Sequence, residues 1–223
     1  ISEARKVRAQ SDELRVLLLT EPSLDELDNI ERHNIDLTVY NDFFIDGLEE
    51  SGKEFSTHIK IDTGMHRVGC EPEDFKNLYN KIKKSKTINL AGICTHFPLA
   101  DEEIEPTQES IELFKETIKD IDLDDLLIHV DNSGSSFYNF DPTFNLSRVG
   151  LTVYGCNITP AEVNQDFKPT MAIKTRISNI NYRKKGEAVS YGKALTLERD
   201  TTVGVSPIGY GDGYPWSTFP DGK

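Results

Sequence analysis

Cysteine is scarce in this chain. Three residues, Cys70, Cys94 and Cys156, occur in 223, far apart and without a CxxC pair. Neither a zinc site nor a disulfide framework is indicated, no metal is expected, and a reduced cytosol fits best. Long apolar runs are missing too. None approaches the roughly 20 residues that cross a bilayer, and no secretory signal opens the chain, so no membrane partner is expected. Basic residues are outnumbered, 25 against 38 acidic, for a formal charge of −13. Such a surface repels phosphate backbones, which argues against a nucleic-acid partner and leaves solubility as the plain meaning of the charge. Repeats and low-complexity segments are absent. The first residue is Ile1 rather than Met, and ISEARKVRAQ reads as the tail of a helix, so both ends are expected to be cut.

Hydrophobic residues make up 37% of the chain, enough for a buried core. The length suits one large domain, or one domain and part of another. Short apolar runs alternate with longer amphipathic ones. LRVLLL (residues 14–19), LTVY (37–40), FSTHIKI (55–61), INLAGICT (88–95) and LLIHV (126–130) read as strands, and FNLSR (144–148) as a sixth. Between them PSLDELDNIERHN, FFIDGLEE after a capping Asn41, Pro72–Lys84 and Gln108–Asp120 carry helical spacing. Strands alternating with helices predict parallel βαβ units. Polar residues follow several strands in turn: Asp62 and Arg67, His96, Asp131–Ser133 and Arg148. Functional groups at many successive strand ends suit a barrel better than the single switch point of an open sheet. After about Asn164 the helical spacing stops. MAIKTRISNINYRKKGEAVSYGKAL and TTVGVSPIGYGDGYP are rich in β-formers and glycine. The fold class expected is therefore α/β: a partial TIM-like (β/α) barrel over 1–165, then the start of a mostly β C-terminal domain over 166–223.

Six segments bear chemistry. HIKIDTGMHRVGC runs a strand into a glycine turn that projects Arg67. Taken alone, Arg67 reads equally as a solvated charge and Asp62 as a turn cap. GICTHFPLADE puts His96 directly after a strand, where a structural hydrogen-bonded histidine is the plain alternative. IHVDNSGSS offers Asn132, Ser133 and backbone N–H groups to a phosphate, or simply makes a turn. LSRVGLTVYG places Arg148 at a strand end before Gly150. VSYG and PIGYGDGYP carry Tyr191 and Tyr210, either of which could be packing aromatics.

In order, spacing and wording these segments resemble the alanine racemase family of fold-type III pyridoxal phosphate enzymes. The family pattern KxDTGMxRxG, THF, HxxNS, RxGxxxYG, SYG and PIGYxDG runs through the chain from about Leu14 to Pro215. The resemblance implies a barrel that binds pyridoxal 5'-phosphate, a following β-domain, and a homodimer with shared active sites. It implies that Arg148 contacts the pyridine nitrogen, with His96 and Asn132 in the polar network around it. Ser133 and the backbone near Gly150 and Leu151 would hold the phosphate. Tyr191 and Arg67 would be the catalytic pair: Tyr191 as the acid/base on one face of the substrate Cα, Arg67 orienting the substrate carboxylate. Tyr210 would lie at the substrate entrance, and Lys60 matches a position that is carbamylated in some members. The implied reaction is interconversion of L- and D-alanine in the cytoplasm, supplying D-alanine for peptidoglycan. The alternatives are a racemase for serine or a broader set of amino acids, and a non-catalytic pyridoxal phosphate-binding barrel.

Three departures from the family pattern stand out. Asp131 and Gly134 replace small apolar residues, and His66 stands where glycine is common. A KANAYGHG-like segment bearing the cofactor lysine does not occur in these residues. Lys6 lies in a charged helical stretch and Lys60 matches a different role. Racemisation on this cofactor needs a lysine that holds it and serves one face of Cα. These 223 residues alone are therefore expected to give no D-alanine and no absorption from lysine-bound cofactor. Turnover by them would show that the lysine has been mislocated.

Overall fold

The computed structural model describes residues 1–138, 140–158 and 167–215. It forms two compact units, 1–170 and 171–223. The boundary expected at 165/166 lies outside the described residues.

In the first unit, five strands form one sheet in the order β1 (Leu17–Leu18), β2 (Asp36–Val39), β3 (Phe55–Lys60), β4 (Ile88–Cys94) and β5 (Leu127–His129), every neighbouring pair parallel. Helices α2 (Leu27–Arg32), α3 (Asp42–Ser51), α4 (Pro72–Lys84) and α5 (Ile104–Ile118) connect them in turn, and α1 (Ser2–Arg8) precedes β1. Sequence chemistry sets these helices. α4 opens on Pro72, keeps Glu73 and Asp74 in its first turn, and ends on Lys81, Lys83 and Lys84, matching the helix dipole at both ends. Its buried stripe is Phe75, Leu78 and Ile82. Phe44, Ile45 and Leu48 of α3 and Ile111, Phe114 and Ile118 of α5 join it in one core with Leu37, Val39, Ile59, Ile61 and Ile93 from the strands. Asn41 occupies the position before α3, but its side chain does not cap the helix. The Glu21 carboxylate instead fixes the chain entering the helix, accepting the N–H groups of Tyr40 (2.6 Å) and Asn41 (2.8 Å) and the Asn41 side-chain amide (2.6 Å).

Side chains alternate across a strand, so β2 and β3 each carry a second face. On β3 that face holds His58 and Lys60; on β2 it holds Asp36 and Thr38. The register pairs Thr38 with His58, His58 with Gly92, Lys60 with Cys94 and Cys94 with His129. One face of the sheet is thus aliphatic and covered by helices. The other carries a carboxylate, a hydroxyl, two imidazoles, an ammonium and a thiol, all buried.

The expected sixth strand, FNLSR, is not a strand. Asn145 takes over the ladder: its Oδ1 accepts the Ile128 N–H (2.8 Å) and its amide donates to the Leu126 carbonyl (2.9 Å). Two backbone bonds, Asn145 N–H to Ile128 O and Arg148 N–H to Asp131 O, keep the segment beside β5. A side chain standing in for a peptide group satisfies the edge without a regular ladder.

The second unit has two antiparallel pairs, β6 (Asn179–Arg183) with β9 (Thr201–Val205) and β7 (Ala188–Val189) with β8 (Leu195–Thr196). Its described residues contain no α-helix. Helix-backed parallel strands followed by antiparallel pairs are the partial barrel and β-domain expected from the sequence.

Candidate active site

Arg148 lies just beyond the carboxyl ends of β4 and β5. Its Nη1 donates to the His129 carbonyl (2.5 Å) and to His129 Nδ1 (2.7 Å). Its Nη2 donates to the Thr95 carbonyl (2.6 Å) and reaches His96 Nδ1 at 3.3 Å. Arginine has five N–H donors and no acceptor. His129 Nδ1 must therefore be an acceptor, and a neutral His129 carries its proton on Nε2. Nε2 lies 2.8 Å from His58 Nδ1, so His129 donates and His58 accepts. His58 in turn carries its proton on Nε2, which lies 3.8 Å from Asp36 Oδ2. One donor-only residue fixes two tautomers in succession.

The two imidazoles come from β3 and β5, with β4 between them. They meet because the β4 residue between them is Gly92. A Cβ there would lie 2.3 Å from His58 Nδ1 and 2.5 Å from the Leu127 carbonyl. Burial, then the charge of Arg148, pushes the His129 pKa down to about 2. The same causes, with Lys60 and Arg67, bring His96 to about 4. Both rings are neutral acceptors at physiological pH.

Beside this cluster is a cavity of about 170 Å³ lined by Thr38, Lys60, Arg67, Cys94, His96 and Arg148, with Leu19, Thr20 and Val68. Two guanidiniums and an ammonium line it, and no carboxylate does. Burial lowers the Lys60 pKa, and Arg148 and Arg67 lower it further. Burial raises the Cys94 thiol to about 11, which leaves it protonated and unreactive. Arg67 reaches the cavity from the turn after β3. Asp62 shapes that turn by accepting the N–H groups of Gly64 (2.9 Å) and His66 (3.0 Å). Gly69 closes it at φ 142°, where a Cβ would lie 2.7 Å from the Asp62 nitrogen.

Asn132 and Ser133 follow β5. Asn132 accepts the N–H groups of Gly134 (2.9 Å) and Ser135 (3.1 Å) and donates to the Phe97 carbonyl (3.2 Å), which ties this loop to the residue after His96. Ser133 is buried, and its hydroxyl accepts the Gly150 N–H at 2.8 Å. Leu151 begins a single 3-10 turn, Leu151–Tyr154. The structure thus brings Lys60, Arg67, His96 and Arg148 to one cavity, and Asn132, Ser133 and Gly150 to the adjoining loops. Tyr191 and Tyr210 belong to the second unit, each opening a 3-10 turn with its side chain exposed. Among the described residues, no group of three or more His, Cys, Asp or Glu is placed to hold a metal ion, and no helix is long and apolar enough to cross a membrane.

Asp36, Thr38, His58 and His129 have no assigned role in the sequence reading. Their signal was period two: polar residues inside otherwise apolar strands, falling on the face opposite Leu37, Val39 and Ile59.

Parallel strands, connecting helices and an arginine-centred polar site at the strand ends define a partial β/α-barrel with a cavity lined by cationic side chains. A family model for the alanine racemase N-terminal domain matches residues 1–158, and one for the alanine racemase C-terminal domain matches residues 170–222. The chain belongs to the alanine racemase family. The alanine racemase of Treponema denticola is 34% identical over 226 residues, covering 96% of this chain and 59% of that relative. A solved alanine racemase from E. faecalis is similar with a TM-score of 0.85 at 26% identity, covering 95% of this chain and 60% of that one. A histidine racemase from Leuconostoc mesenteroides shares the fold, with a TM-score of 0.79 at 22% identity over 97% of this chain and 60% of its own. The chain spans about six-tenths of the length of these relatives.

A histidine whose folded pKa lies below its ordinary 6.5 binds fewer protons folded than unfolded between the two values. Stability then falls as pH drops, by about 1.4 kcal/mol per pH unit for each fully titrating ring. His96 and His129 should together destabilise the fold from about pH 6.5 down to about 4, with His129 continuing below that. Glu21 and Asp131, whose pKa values are raised, work in the opposite sense. Thermal melts across this range should show a decline that is shallower in His129→Gln. Equal slopes would refute the neutral-imidazole assignment.

Proposed function

We propose that the protein is a pyridoxal phosphate-dependent racemase that interconverts L- and D-alanine by proton transfer at Cα. The observation that carries this reading is the seating of Arg148, a guanidinium held by carbonyls and neutral imidazoles at a cavity free of carboxylates. That donor set fits an anionic cofactor whose ring nitrogen accepts a hydrogen bond.

When bound, the cofactor supplies an electron sink for charge developing at Cα. Arg148 donates to the pyridine nitrogen and cannot protonate it, because a guanidinium holds its proton too tightly. The sink stays shallow, which restrains transamination and elimination. His96 and Asn132 belong to the network that holds this arginine. Ser133 and the backbone N–H groups of Gly150 and Leu151 would hold the phosphate, the Gly150 N–H turning to it from the Ser133 hydroxyl. Arg67 orients the substrate carboxylate, and Lys60, as a carbamate, would become the anion that pairs with it. Mass spectrometry finding Lys60 unmodified would remove that last assignment.

Two bases are needed, one for each face of Cα. The partner subunit's Tyr191 serves one, in a homodimer with shared sites, and the cofactor lysine serves the other. Tyr210 stands at the substrate entrance. The cytoplasm and the supply of D-alanine for peptidoglycan complete the reading. Turnover of alanine compared with serine, lysine, arginine and histidine decides the side-chain preference.

In the holoenzyme, Tyr191→Phe should slow racemisation by about a hundredfold to ten-thousandfold while cofactor absorbance persists, because only the proton-carrying hydroxyl is lost. Arg148→Glu should favour a protonated ring nitrogen and raise transamination. D-alanine formation and cofactor absorbance check both. Normal turnover by Tyr191→Phe would remove the two-base assignment.

A further inference from the structure

Asp36 lies at the far end of the polar face from Arg148, on β2. Its Oδ2 accepts from Arg15 Nη2 (2.6 Å) and Nε (3.1 Å) and faces His58 Nε2 at 3.8 Å. The two partners differ in exposure. The Arg15 side chain is 57% exposed and that of Asp36 only 11%. An ordinary surface ion pair keeps both charges in water. Here the carboxylate is drawn under the sheet to a buried imidazole nitrogen that has no hydrogen-bond partner. Thr38 Oγ1, on the same face and in register with His58, also lacks a partner.

We propose that Asp36 is a remote positioning residue for Arg148, acting through the directed series Asp36, His58, His129, Arg148. At 3.8 Å the carboxylate is beyond hydrogen-bond distance of His58 Nε2 and polarises its N–H through charge across the buried gap. His58 Nδ1 becomes a stronger acceptor for His129 Nε2–H, and His129 Nδ1 a stronger acceptor for Arg148. Hydrogen bonds in a chain polarise one another in this way. The guanidinium then presents less of its charge on its remaining N–H groups. Arg15 sets the strength of the pull, because it partly neutralises the carboxylate. Burial opposes ionisation of Asp36, but His58 and Arg15 together hold its pKa below the ordinary carboxylate value. The consequence for catalysis rests on the reading that Arg148 meets the cofactor nitrogen. The relay itself does not.

The test uses the chain with 15N-labelled histidine and no cofactor. Long-range proton–nitrogen correlation should show His58 and His129 both neutral and both protonated on Nε2. In Asp36→Asn the His129 Nε2 proton should shift upfield, as its hydrogen bond weakens. In Arg15→Gln it should shift the other way, because the carboxylate regains its full charge. A merely structural role would move both variants in the same sense. That result, an unmoved His129, or His58 protonated on Nδ1 in the unsubstituted chain overturns the proposal. The tautomer measurement needs no variant, so a variant that fails to fold leaves the proposal open to refutation. In the holoenzyme, Asp36→Asn should raise transamination relative to racemisation several-fold. Opposite imidazole shifts without that change would overturn the placement of Arg148 at the cofactor and leave the relay standing.

Discussion

A guanidinium can only donate, and Arg148 is half-buried among groups that must therefore all accept. The carbonyls of His129 and Thr95 do so without conditions. The imidazoles of His129 and His96 do so only while neutral and in one tautomer. That requirement passes from His129 to His58 and sets which nitrogen faces Asp36. It also reaches the backbone, because the ring of His58 passes close to a β4 position that cannot carry a Cβ. Four strands are thus committed to the orientation of one side chain.

Burying polar groups is expensive unless each finds a partner, and a half-satisfied network is worse than an aliphatic one. The first unit meets this cost with its opposite face. Ile59, Ile61, Ile93, Phe75 and Phe114 are almost wholly buried between sheet and helices. At roughly 1.5–3 kcal/mol for each large apolar side chain, that layer can carry a polar one behind it. The division follows directly from strand alternation: on β3, Thr57 and Ile59 serve stability while His58 and Lys60 serve the site.

Much of this was legible in the sequence because it is local. The β-to-α alternation, the Pro72 helix and the loss of helical spacing before the second unit each lie within one window. Arg67, His96, Ser133 and Arg148 could be named because glycine turns and strand ends mark them. The His58–His129 contact could not, since it spans 71 residues and depends on strand register, including the irregularity between Thr57 and His58. FNLSR failed as a strand for a related reason. Its apolar and β-prone residues read as ladder, while one asparagine side chain supplies the bonds the ladder would have made. Asn41 looked like a helix cap, but its side-chain amide and backbone N–H are held by Glu21, twenty residues away, and no side chain caps the helix.

The central claim is that burial and the charge of Arg148 together hold His129 neutral. Proton-detected titration of the five histidines in the folded chain tests it directly. The account predicts that His129 keeps one protonation state from pH 7 down to the acid unfolding of the chain, in keeping with a pKa of about 2. A His129 resonance that titrates near the ordinary 6.5 while the fold persists would contradict it.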